Sequence, residues 1–66
     1  MYEAYPNIDT VYKVALKEDD HGVHVFVYKT PNSKYPEMDY LQDNVQQAIG
    51  FCERKFNITP DLFKKL

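Results

Sequence analysis

Cysteine, glycine and clustered positive charge are what this chain has least of. A single cysteine, Cys52, excludes an internal disulfide. With only His21 and His24 beside it, the chain lacks the spaced four-ligand set of a structural zinc site. Only Gly22 and Gly50 are present, so no glycine-rich loop can cradle a phosphate. Tryptophan is absent. Eight Lys and Arg are outnumbered by ten Asp and Glu, for a net charge of −2, which argues against the basic patch of a nucleic-acid binder. No apolar run reaches the length of a membrane span. The start, MYEAYPNID, lacks the basic residues and apolar run of a secretory signal. With one unpaired cysteine, a reducing cytoplasm is the expected compartment.

What is present is dense in aromatics. Six tyrosines and four phenylalanines make up 15% of the 66 residues, within a hydrophobic fraction of 44%. That composition is expected to fold, as one domain near the lower size limit for independent folding. Small domains usually need a staple, and with no disulfide or metal the remaining device is self-association. A homodimer is therefore expected. Charge is unevenly placed: up to Asp43 there is an acidic excess of four, and from Asn44 onward a basic excess of two.

Residues 1–9, with Pro6 and Asn7, show no periodicity and read as an N-terminal arm rather than a regular element. Residues 10–17 alternate, with Tyr12, Val14 and Leu16 on one face and Val11, Lys13, Ala15 and Lys17 on the other. Glu18 to Gly22 predicts a five-residue hairpin loop closed by a bulge. The second strand, 23–29, is apolar on both faces, with Val23, Val25 and Val27 on one and His24, Phe26 and Tyr28 on the other. One helix covers one face of a sheet, so the other needs cover from the arm, a second subunit or a target.

The segment TPNSKYP reads as a loop with room for a short edge strand around Lys34 and Tyr35. Asp39 followed by Gln42 has the form of a capping box and predicts a helix over 39–56. Its apolar stripe is Leu41, Val45, Ala48, Ile49, Cys52 and Phe56. Asn57 is the predicted stop, and Thr59-Pro60-Asp61 opens a short helical turn over 59–66. The expected fold class is α+β, an antiparallel β-hairpin packed on one amphipathic helix.

Chemistry-bearing groups are few. His21 and His24 beside Asp19 and Asp20 straddle a turn and a strand, a poor frame for a shared metal. Cys52 sits on the buried stripe, where a thiol is an inert hydrophobe rather than a nucleophile. No catalytic residue, metal or cofactor is expected. The acidic sets Glu18, Asp19, Asp20 and Glu37, Asp39, Asp43 have two readings. One is a solvated hairpin tip and a helix start stabilised by negative charge. The other is a surface of carboxylates that mimics DNA phosphates before a DNA-binding protein.

An acidic Gly turn after a strand (VALKEDDHG), an aromatic strand ending VFVYK and a Glu-x-x-Tyr (EMDY) before a helix together resemble the small uracil-DNA glycosylase inhibitor of short-tailed Bacillus phages, over Asp9 to Lys55. The resemblance implies a cytoplasmic homodimer that mimics DNA and occupies the DNA cleft of the host's glycosylase, without catalysis. It passes the enzyme-contacting roles to Glu37 and Tyr40, with Asp39 and Asp43 supplying charge. Where that family has a phenylalanine before the glutamate, Pro36 stands here, leaving Tyr35 or Phe51 to form an apolar wall. The order strand, acidic-Gly turn, strand and a helix opening DYL is also similar to HicB-type antitoxins. That similarity implies binding to a small toxin nuclease. Such antitoxins carry a third strand with Gly-Cys before the helix, which TPNSKYPEM is not expected to form. Phage integrase arm-binding domains share the outline but have basic strands that this chain lacks.

Overall fold

The computed structural model describes residues 1–8 and 10–66. Asp9, counted with the arm above, lies outside them. The fold is α+β: a five-stranded antiparallel sheet with one helix on one face. In chain order the elements are β1 (Tyr2–Ala4), β2 (Lys13–Asp19), β3 (Gly22–Tyr28), β4 (Met38–Gln42), α1 (Val45–Phe56), a single 3-10 turn (Pro60–Leu62) and β5 (Lys64–Lys65). Across the sheet the order is β4-β3-β2-β1-β5.

The hairpin forms as the alternation predicts, but its turn is tighter. Pairing of β2 with β3 continues to Asp19↔Gly22, leaving Asp20 and His21 as a two-residue turn instead of a five-residue loop. Asp19 accounts for the difference. One carboxylate oxygen accepts the His21 backbone N–H at 2.8 Å and the other lies 2.6 Å from His24 Nε2. Gly22 is required there by its φ of +140° and by crowding, since a Cβ would lie 2.4 Å from the Gln42 carbonyl oxygen.

The main correction falls on residues 38–42. They form strand β4, paired with β3 from Val27↔Met38 to Val23↔Gln42, and not the first turn of the helix. Asp39 is therefore no N-cap. The cap is Asn44, whose side chain accepts the Gln47 N–H at 2.8 Å. Both Asp39-x-x-Gln42 and Asn44-x-x-Gln47 fit a capping signature. Met38 and Tyr40 inward with Asp39 and Leu41 outward is the two-residue period of a strand, and the free edge of β3 was there to receive it. Leu41, counted in the helix stripe, is consequently 52% exposed.

Three further expectations give way. The arm contains β1, which pairs with β2 from Tyr2↔Leu16 to Ala4↔Val14 and buries Ala4 completely. The tail is helical only over Pro60–Leu62, after which Lys64 and Lys65 pair with β1 as β5. Val11 also changes side. The chain bends at Tyr12, putting Val11 in the core and leaving Tyr12 39% exposed.

The core lies between α1 and the sheet. Val14 and Leu16 of β2 and Val23, Val25 and Val27 of β3 meet Ala48 and Cys52 of α1. Asn57 ends the helix with φ of 60°, as predicted. Its N–H bonds Glu53 and the next N–H, of Ile58, reaches the Cys52 carbonyl, the Schellman arrangement that turns Ile58 into the core. Among the described residues no helix is long and apolar enough to cross a membrane.

Candidate functional site

The sequence points to six partner-contacting residues, and the structure does not hold them in one patch. Tyr35, Pro36 and Glu37 precede β4, Asp39 and Tyr40 lie within it, and Asp43 follows it. Tyr35 is 79% exposed and Pro36 half-buried. Glu37 fastens the loop to β3: its carboxylate accepts the Lys29 N–H and its own N–H donates to the Val27 carbonyl, each at 2.8 Å. Tyr40 belongs to the core face. Its ring lies 4.8 Å from that of Phe51 and 6.3 Å from that of Phe56, and its hydroxyl donates to Met38 Sδ at 3.1 Å. Phe51 is thus a packing residue under β4. Asp39 is exposed on the opposite face, with a carboxylate oxygen 3.9 Å from His24 Nδ1.

What the fold does bring together is Asp43 and the hairpin tip. The loop from β4 into α1 passes beside the β2–β3 turn, and the two enclose a concavity of about 290 Å³. Glu18, Asp19, Asp20 and Asp43 line it with His21 and Asn44, and no Lys or Arg takes part. The Asp19 carboxyl is held below its ordinary value, chiefly by the His21 N–H and then by His24. Asp19 is therefore occupied in closing the turn. Glu18, Asp20 and Asp43 are the exposed carboxylates left for a partner at this end.

The second surface is the sheet face away from α1. Register places Glu3, Lys13, Ala15, Lys17, His24, Phe26, Tyr28, Asp39 and Leu41 on it. The His24 and Phe26 rings stack with centroids 5.6 Å apart, and the Lys13 ammonium sits 4.4 Å over the Tyr28 ring. Apolar character on both sides of β3 was legible in the sequence, and the open side is indeed left uncovered by the helix. A third feature, an open groove of about 790 Å³ between α1 and the ends of the chain, has only Glu53 and Arg54 as charged walls.

Burial pushes the Cys52 thiol up to about 11, so it stays protonated and unreactive at neutral pH. Compared with protein-family models, curated proteins and solved structures, the chain has no match in any of the three.

Proposed function

We propose that this domain is a non-enzymatic, cytoplasmic protein inhibitor of a nucleic-acid-processing enzyme, and that its acidic end substitutes for the phosphate backbone. The carrying observation is the path of β4 into α1. It supplies a third strand directly before the helix, the feature missing from the antitoxin-like outline, and delivers Asp43 to the acidic hairpin tip. A cation-free concavity rimmed by carboxylates is complementary to the basic substrate cleft of a nuclease. The partner favoured by this geometry is a small basic toxin ribonuclease, as for a HicB-like antitoxin. The Gly-Cys of those antitoxins is still absent, with Pro36 and Glu37 ahead of the strand instead.

Inhibition of uracil-DNA glycosylase is the second reading, favoured by exposed Asp39, Asp43 and Tyr35 along and beside the β4 edge. It has less support in Glu37 and Tyr40, whose polar atoms are bonded within the chain. Two assays separate the readings. Co-purification with a small basic ribonuclease encoded beside this chain, with uracil excision unaffected, supports the first. Uracil excision abolished at equimolar protein supports the second, and full glycosylase activity at stoichiometric excess removes it. Failure of both assays removes the inhibitor proposal.

A further inference from the structure

We propose that the open face of the sheet is an isologous dimer interface, with Phe26 on the two-fold axis and Asp39 of each copy seated over Ala15 of the other, between Lys13 and Lys17. The argument begins with the rows across the sheet. One row reads Glu3, Ala15, Phe26, Asp39, and its neighbours read Lys13, Tyr28 and Lys17, His24, Leu41. Phe26 is the middle one of the three outward side chains of β3, itself the middle strand of the three longest, β2, β3 and β4. Ala15 is the one small residue on this face, flanked by two lysines on its own strand and covered by its neighbours to 4% exposure.

A two-fold axis parallel to the strands through Phe26 exchanges the β4 side of one copy with the β2 side of the other. Asp39 then lands over Ala15 and completes a Lys-Asp-Lys arrangement, while Leu41 covers the aliphatic stem of Lys17. An axis perpendicular to the strands instead sets Asp39 near Asp39 and Lys13 near Lys17, like charge on like. An isologous contact has to be complementary to itself, so the charges select the first axis. Lys17 has no ion-pair partner among the described residues, whereas Lys13 already lies 3.9 Å from Glu3.

Charge balance also selects a second copy over a nucleic acid as the occupant. The face and its upper edge carry Lys13, Lys17 and Lys64 against Glu3, Asp19 and Asp39. A stacking platform for single strands needs a positive groove beside its aromatics. The extent fits a weak dimer: five strands at about 4.8 Å and seven residues at about 3.3 Å give a face about 19 by 23 Å. Two such faces amount to at most about 870 Å², below the roughly 1,200–2,000 Å² that stable specific interfaces bury, which places the dimer among weak, concentration-dependent ones. The same axis points both acidic ends in one direction; only the use made of that pairing rests on the function proposed above.

Sedimentation equilibrium of the native chain from about 5 to 500 µM tests the inference, spanning the affinity expected of an interface this small. The expected species is a dimer of the 7.8 kDa chain at the upper concentrations. Phe26→Ser is expected to weaken it at least tenfold with circular dichroism unchanged. The charge test remains decisive where that variant fails to fold. K17E alone and D39K alone are each expected to be monomeric, and their equimolar mixture to pair, because one contact then keeps Asp39 between Lys13 and Lys17 and the other sets the substituted charges at 39 and 17 opposite in sign, leaving only the one repulsion from Lys13. A native chain monomeric at 500 µM, a mixture that does not pair, or Phe26-dependent binding of single-stranded oligonucleotides by the monomer overturns it.

Discussion

On the helix side of the sheet, Val14, Leu16, Val23, Val25 and Val27 close against Ala48 and Cys52 and exclude water. On the other side the same strands hold Lys13, Lys17, His24, Phe26 and Tyr28 partly in solvent. One face is uniform, branched and sealed, and the other mixes aromatic rings with both signs of charge. The contrast teaches which face holds the fold and which is available for binding. Strand β3 alone shows it, since its odd-numbered valines are buried and its alternate His24, Phe26 and Tyr28 are not.

Truncating one large side chain on each side of the sheet should separate the two faces most widely. Leu16 is fully buried, and Leu16→Ala is expected to cost about 2–5 kcal/mol, much of what a domain this small possesses. Phe26→Ala, measured at concentrations where the chain is monomeric, is expected to cost about 1 kcal/mol or less, as for a surface residue. Urea unfolding of both variants checks this, and equal losses would erase the distinction between faces.

A smaller effect is expected where the faces are joined at the hairpin. Gly22→Ala forces a Cβ against the Gln42 carbonyl at an unfavourable φ, at a cost of about 1–3 kcal/mol. The loss should appear in thermal unfolding, accompanied by fraying of β4 in hydrogen exchange. The helix start comes next: Asn44→Ala removes the bond to the Gln47 N–H, at about 1 kcal/mol. Asp39→Ala, at the position that resembles a cap in the sequence, should leave helix stability unchanged by the same measurement.

The smallest effect is a pH dependence at the exposed tip. Because the Asp19 carboxyl is held below its ordinary value of 3.8, its contribution is fully present above that pH. It is lost as pH falls below 3.8 through the lowered folded-state value. In acid titration the stabilities of native protein and Asp19→Asn should differ above that window and converge within it, with the variant flatter. On the sealed side the sign reverses. Cys52 is raised from 9.0 to about 11, so its contribution is present below pH 9.0 and declines as pH rises from there toward 11.

The long hairpin was legible because seven-residue strands declare their period, and Asn57 was legible because a helix end favours a residue that tolerates positive φ. The short strands were not. In β1, Tyr2–Ala4, three residues offer one and a half periods, and β5 offers one. Strand β4 was masked by coincidence, since Leu41 extends the spacing of Val45, Ala48 and Cys52 backward by four and Asp39-x-x-Gln42 imitates a cap. Tertiary pairing with β3 decided against both. For the candidate site, the two acidic sets were visible as separate segments, but the arrival of Asp43 alone at the hairpin tip depends on where β4 runs. Glu37 and Tyr40 were named as contacts through the resemblance alone, and the bonds that occupy them inside the chain become apparent only once the strand is placed.

The central functional claim is that the acidic end made by Glu18, Asp20 and Asp43 does the binding and the sealed face only supports it. RNA cleavage by a small basic toxin ribonuclease that co-purifies with this chain, measured with an equimolar amount of native protein or of the E18Q/D20N/D43N variant, tests it most directly. Native protein should suppress cleavage, and the variant, folded but with three carboxylates neutralised, should restore it. Cleavage that proceeds undiminished with native protein, or suppression that is identical with the variant, would contradict the account.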